Sequence, residues 1–260
     1  MYRRQPLPVK SALRLAGLLP GPISGARVGA SVPGETEGRQ AMDFAAARKW
    51  MVDGQLRPNK VTDPRILSAM LDLPRHRFVP ADMVARAYAD EDTPLGQGRV
   101  LLQPMMIARL LQLAELRTGD SVLLVGAGTG YGAAALARMG GRVTALESSP
   151  TLSAVAREVM GEVSLAPGHV QWVEGALAAG HPAGAPYDLI MIQGEVPAIP
   201  PALTEQLAEG GRLVAIRRLP GQVGIAVIGR RVGGVFSAVP AFDCGTVPLP
   251  GFALDSAFAL

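Results

Sequence analysis

Cysteine is nearly missing from this chain: Cys244 stands alone among 260 residues, which excludes a disulfide framework and any Cys-x-x-Cys zinc site. Histidine is scarce as well. His76, His169 and His181 are scattered, no HExxH or mixed Cys/His constellation can be assembled from them, and nothing points to a metal site. Aromatic residues are 5%, too sparse for a platform that stacks nucleic-acid bases. Charged residues make up only 18% against 48% hydrophobic, which excludes a disordered or acidic-tail protein and leaves ample material for a full core. No apolar run approaches the ~20 residues needed to span a bilayer. No membrane partner is therefore expected, and the expected compartment is the cytoplasm. The net charge of +3 invites a nucleic-acid partner, but its location argues against one. Residues 1–41 hold six basic and two acidic groups, which leaves the other 219 residues with 19 basic and 20 acidic ones. A body that is electrostatically neutral offers no phosphate-binding face.

Residues 1–41 contain five prolines and six glycines and show no sustained hydrophobic period. Arg14 and Pro20 interrupt the apolar stretch that a secretory signal would need. The segment reads as a disordered extension, or as sequence upstream of a start at Met42. The body is expected as one domain over 42–260: N-terminal helices and a substrate loop (42–118), a cofactor-binding core (119–235) and a C-terminal tail (236–260). An amphipathic helix is predicted over 43–56, with Phe44, Ala47, Met51 and Leu56 near one face. Asp63-Pro64 opens a second helix, which Pro74 stops. A loop at 75–80, a short helix, an irregular Gly-rich stretch at 92–103 and a strong helix from Gln103 follow.

From residue 120 apolar strands alternate with helices over short connections. This grammar predicts an α/β fold: a Rossmann-like open sheet, mostly parallel, with helices on both faces. The last two strands have no helix between them and predict an antiparallel edge. The strand SVLLV runs into Gly126-Ala127-Gly128-Thr129-Gly130, a turn whose glycines let the backbone bend tightly and a ligand approach closely. Glu147 ends the next strand, 21 positions after Gly126, where a carboxylate can accept both hydroxyls of a ribose. A dinucleotide fingerprint would need glycine at 131, which is Tyr131. The shifted frame Gly128-x-Gly130-x-x-Ala133 is a weaker match.

The G-x-G-x-G turn with Glu on the following strand resembles motif I of the S-adenosylmethionine-dependent methyltransferases. Upstream, MVDGQLR (51–57), VTDPRILSAM (61–70), PRHRFVP (74–80), Ala87-Tyr88, Gly96-x-Gly98 and Gln103-Pro104 occur in order. Downstream lie PYDLIMI (186–192), VPAIPPALTEQL (196–207) and GGRLV (210–214). Together these segments, over residues 42–235, are similar to the protein-L-isoaspartate O-methyltransferase family. That resemblance implies transfer of a methyl group from S-adenosylmethionine to the isoaspartyl carboxylate of damaged proteins, as a step of repair. It implies isoaspartyl proteins or peptides as substrate and a cofactor site at Gly126, Gly128, Gly130, Glu147 and Gln103; a monomer is expected, though the sequence does not fix the oligomeric state. It places Gly96, Gln97, Gly98 and Arg99 in a substrate loop.

Three residues depart from the family pattern. The serine that the family carries before Gln-Pro is Leu102, so no catalytic side chain is intact. The acidic residue two places before the first glycine is Leu124, and the aspartate of a Gly-Asp-Gly turn is Ala176. Each loss of a hydrogen bond to a charged group is worth ~1.5–3 kcal/mol. Two alternatives follow: a weakened or inactive cofactor-binding homologue, or a methyltransferase with another, less polar acceptor. Glu147 is expected to face an open crevice, so that its removal would leave stability nearly unchanged. His76 is expected to pack beneath the active-site segment, Met105 and Met106 to line core and pocket, Arg217 and Arg218 to be solvated, and Cys244 to be structural.

Overall fold

A five-residue apolar strand, Ser121–Val125 (β3), forms the middle of the molecule in the computed structural model, which describes residues 42–163 and 169–252. The expectation for residues 1–41 and the end of the expected tail, 253–260, lie outside the described residues. On one side of β3 run the parallel strands Arg142–Glu147 (β4) and Val170–Glu174 (β5); on the other run Tyr187–Val196 (β6) and Leu207–Arg217 (β7), also parallel. Ile225–Val232 (β8) and Val235–Asp243 (β9) add an antiparallel hairpin, giving the order β5-β4-β3-β6-β7-β8-β9. The predicted mostly parallel sheet with an antiparallel edge is thus the one observed.

Central strands are apolar at every position because both of their faces are covered. Alternate side chains enter separate cores: Val122 and Leu124 pack on one face, Leu123 and Val125 on the other. The first core is the larger. It takes side chains from Phe44–Met51 (α1), Pro64–Asp72 (α2), Pro104–Leu113 (α3), Tyr131–Arg138 (α4) and Pro150–Glu162 (α5). The second face is covered by the short helix Pro201–Thr204 (α6), a 3₁₀ turn at Leu177–Ala179 and Leu249 from the chain's end.

Local departures from the predicted elements have local causes. The helix predicted over 43–56 starts as expected, with the Asp43 carboxylate accepting from the N–H groups of Ala45 and Ala46 at 3.0 Å. It changes to a π turn at Val52–Leu56, which brings Val52 and Leu56 into the core. Helix α2 has the expected Asp63 cap and Pro64 start. The stretch at 92–103, expected to be irregular, instead forms a hairpin of Thr93–Gly96 (β1) and Arg99–Leu101 (β2). Gly96, Gln97 and Gly98 all have positive φ at its tip, and a chain reversal of this kind leaves no apolar alternation to read.

Candidate cofactor site and its covering hairpin

The order of the sheet reverses between β3 and β6, and the glycine turn leaves the carboxyl end of β3 at that point. Gly126, Gly128 and Gly130 have φ of 78°, 59° and 97°, values that a side chain would strain. Gly130 caps the N-terminus of α4, and its Cα faces the Trp172 ring so closely that a Cβ would sit 2.8 Å from it. Thr129 donates its hydroxyl to the Phe78 carbonyl at 2.6 Å, tying the turn to the PRHRFVP segment.

Glu147 does not face an open crevice: it is fully buried, and the expectation of exposure is corrected. One carboxylate oxygen accepts from the Gly128 N–H at 2.7 Å. The other accepts from the N–H groups of Ser148 at 2.9 Å and Ser149 at 3.1 Å and from Arg99 Nη1 at 2.7 Å. The cause lies in the hairpin. β2 carries Arg99 over the turn, and the guanidinium also donates through Nη2 to the Gly126 carbonyl at 2.8 Å. Arg99, placed by sequence in the substrate loop, therefore points into the cradle and is itself buried.

Gly96, Gln97 and Gly98 form the tip of the hairpin, where the Ser149 hydroxyl donates to Gln97 Oε1 at 2.7 Å. Gln103 precedes α3, with its backbone N–H donating to Asp92 at 2.8 Å. The structure so brings together Gly126, Gly128, Gly130 and Glu147 with Arg99, and sets Gln103 at the base of the hairpin. Leu102 is buried in the helical-side core, and Leu124 is buried there too. Both side chains pack among the apolar residues of that core. Ala176 is exposed at the start of the 3₁₀ turn.

Three contributors were not singled out from sequence. Arg75 is fully buried; Nε donates to the Ala87 carbonyl and Nη2 to the Leu102 carbonyl, both at 2.6 Å, and the guanidinium lies 5.0 Å from the centre of the Tyr131 ring. Burial pushes the guanidinium pKa down and the Tyr131 hydroxyl up to about 12. Asp92 holds the Gln103 N–H with one oxygen and the Thr246 hydroxyl with the other, which joins the hairpin base to the C-terminal segment. Leu249, on that segment, lies over Gly126 and Gly194. Arg75 sits within PRHRFVP and carried a usable signal, a charged group inside a motif; Leu249 carried none, being one more leucine in a Pro/Gly-rich tail.

Other residues fall as follows. His76 stacks on Phe44 at 3.7 Å and lies 2.8 Å from the Tyr88 hydroxyl. Met106 is buried and Met105 half-buried. Arg217 and Arg218 are exposed, although Arg218 also reaches to 3.5 Å from buried Glu195. Cys244 is buried, which pushes its thiol up to about 11.

A parallel sheet whose order reverses at a Gly-rich turn, with a carboxylate ending the next strand, defines a Rossmann-like fold. The sequence model described as protein-L-isoaspartate(D-aspartate) O-methyltransferase matches residues 47–248. A Koribacter versatilis protein-L-isoaspartate O-methyltransferase is 38% identical over 208 residues, covering 80% of this chain and 92% of the relative. One from Methylorubrum populi is 43% identical over 169 residues, 65% of this chain and 78% of the relative. Among solved structures, a protein-L-isoaspartate O-methyltransferase aligns with a TM-score of 0.69 at 24% identity, over 78% of this chain and 66% of that one. A Plasmodium falciparum protein described by the same activity, in complex with S-adenosyl-L-homocysteine, aligns with a TM-score of 0.67 at 18% identity, over 78% of this chain and 98% of that one. The chain belongs to the protein-L-isoaspartate(D-aspartate) O-methyltransferase family, whose members are S-adenosylmethionine-dependent methyltransferases.

Proposed function

We propose that this chain methylates isoaspartyl carboxylates of proteins with S-adenosylmethionine, using Gly126, Gly128, Gly130 and Glu147 as the cofactor cradle. The observation that carries the reading is the meeting of that turn with Glu147 at the switch point between β3 and β6. The residues of the turn fit an adenosyl group: the backbone is bare at three glycines, and a carboxylate lies at hydrogen-bond distance from the turn's own N–H. The side chains resting on the turn must move aside for the group to enter. When bound, the cofactor supplies a methyl group on a positively charged sulfur.

The chain's own contribution is placement and exclusion of water. An acceptor carboxylate with pKa near ~3.9 is ionised at neutral pH, so no residue here need remove a proton. The β1–β2 hairpin covers the turn and shields it, while Arg75 and Asp92 hold the base of that cover in place. A groove of about 380 Å³ at the ends of β6 and β7 is lined by Glu195, Pro197, Arg218 and Pro248. In it Arg218, half-exposed, lies 3.5 Å from the carboxylate of Glu195. Among the described residues no helix is long and apolar enough to cross a membrane. The working unit proposed is a cytoplasmic monomer.

The test is incubation with a methyl-labelled donor and an isoaspartyl peptide. A base-labile methyl ester is expected; no ester, under conditions where an active relative forms one, overturns the reading. Label stable to mild base would move the activity to another acceptor.

A further inference from the structure

Both oxygens of Glu147 are already engaged within the chain, one by Gly128 and the other by Ser148, Ser149 and Arg99. A ribose diol held at this site needs those same oxygens. Above the turn there is no room for it either. A carbon placed on Gly126 would lie 3.0 Å from Arg99 Nη2 and 3.1 Å from Leu249 Cδ1, and one on Gly128 would lie 3.3 Å from Leu95 Cδ1. The guanidinium, at 5% exposure, and the carboxylate, at 0%, form a sealed ion pair in the place where the sugar belongs.

We infer that Arg99 is an intramolecular competitor for the ribose position: it closes the cradle on Glu147, and cofactor enters only when the β1–β2 hairpin draws the guanidinium and Leu95 out and Leu249 shifts from the turn. The inference rests on reading this turn as the cofactor cradle. The hairpin is built for such a movement. Its base is held by the Asp92 contact to Gln103 and the Arg75 contact to the Leu102 carbonyl. Among the described residues its tip is held by one side-chain bond, Ser149 to Gln97, and a Cβ at Gly96 or Gly98 would meet nothing within 4 Å. A fixed base and a tip against open space let the arm between them swing. Apparent affinity is then the intrinsic affinity reduced by the fraction of open molecules, and removing the competitor restores it.

The experiment is calorimetric titration of the full-length chain with S-adenosyl-L-homocysteine, comparing wild type with Arg99→Ala and Arg99→Gln. Both variants are expected to bind about ten- to a hundredfold more tightly than wild type. Gln keeps a hydrogen-bonding group without the charge, so it carries the test if the Ala variant does not fold. Stopped-flow fluorescence of Trp172, which touches Gly130, supplies a second readout. The wild-type association rate should saturate with ligand concentration, limited by opening, while the variant rate rises linearly. Wild-type affinity equal to or better than that of the folded variants overturns the inference; if the isoaspartyl peptide is still methylated, the proposed function stands. Absence of binding by all three proteins overturns both.

Discussion

Arg99 Nη1 and Glu147 Oε1 lie 2.7 Å apart in a pair that is closed to solvent on both sides. A buried pair of this kind contributes little net stability, but removing one partner strands the other in a low-dielectric setting, at a cost of ~3–5 kcal/mol. Glu147→Ala is therefore expected to destabilise the chain by about that amount, as measured by denaturant unfolding. The double variant Arg99→Ala/Glu147→Ala should recover part of the loss. Additive losses would show that the two side chains are not coupled.

Arg75 anchors the base of the same hairpin. Arg75→Met fills similar volume but leaves the carbonyls of Ala87 and Leu102 without their donor, at ~1–3 kcal/mol for each buried group. Lower stability and faster amide exchange over residues 99–104 are expected. Exchange unchanged in that segment would mean that Arg75 supports only its own neighbourhood.

Leu102 offers a test in which sequence and structure lead to opposite results. Restoring the family's serine looks from sequence like a repair of the active site. With Leu102 only 2% exposed, Leu102→Ser instead removes a core side chain and buries a hydroxyl. A loss of ~2–5 kcal/mol in stability, with no gain in methyl transfer per folded molecule, is expected from unfolding curves and initial rates.

His76 makes stability depend on pH. Burial first, then the nearby charges of Arg48 and Arg77, push its pKa below the ordinary 6.5. On acidification the unfolded chain takes up the proton before the folded one, so this contribution is complete above about 6.5 and is lost below it. Melting temperature measured from neutral to mildly acid pH should fall more steeply for wild type than for His76→Gln. Parallel curves would show that His76 does not titrate differently in the fold.

From residue 120 onward the order of elements, the parallel sheet, the antiparallel edge, the glycine turn and the place of Glu147 at a strand end were legible in the sequence of this chain, whereas the β1–β2 hairpin was not. They depend on hydrophobic period, on glycine conformation and on spacing along a single βαβ unit, which are properties of neighbouring residues. The membership of Arg75 in a motif was legible too, but its two carbonyl partners, at residues 87 and 102, were not. What tertiary structure alone decided is the state of the cradle. Arg99 and Glu147 are 48 positions apart, and Leu249 reaches the same turn from the far end of the chain. Three segments must pack before it is settled whether an arginine beside a glycine-rich tip faces water, an acceptor or a carboxylate. No local pattern carries that choice, because a long flexible side chain next to positive-φ residues has several directions open to it until the surrounding core removes all but one.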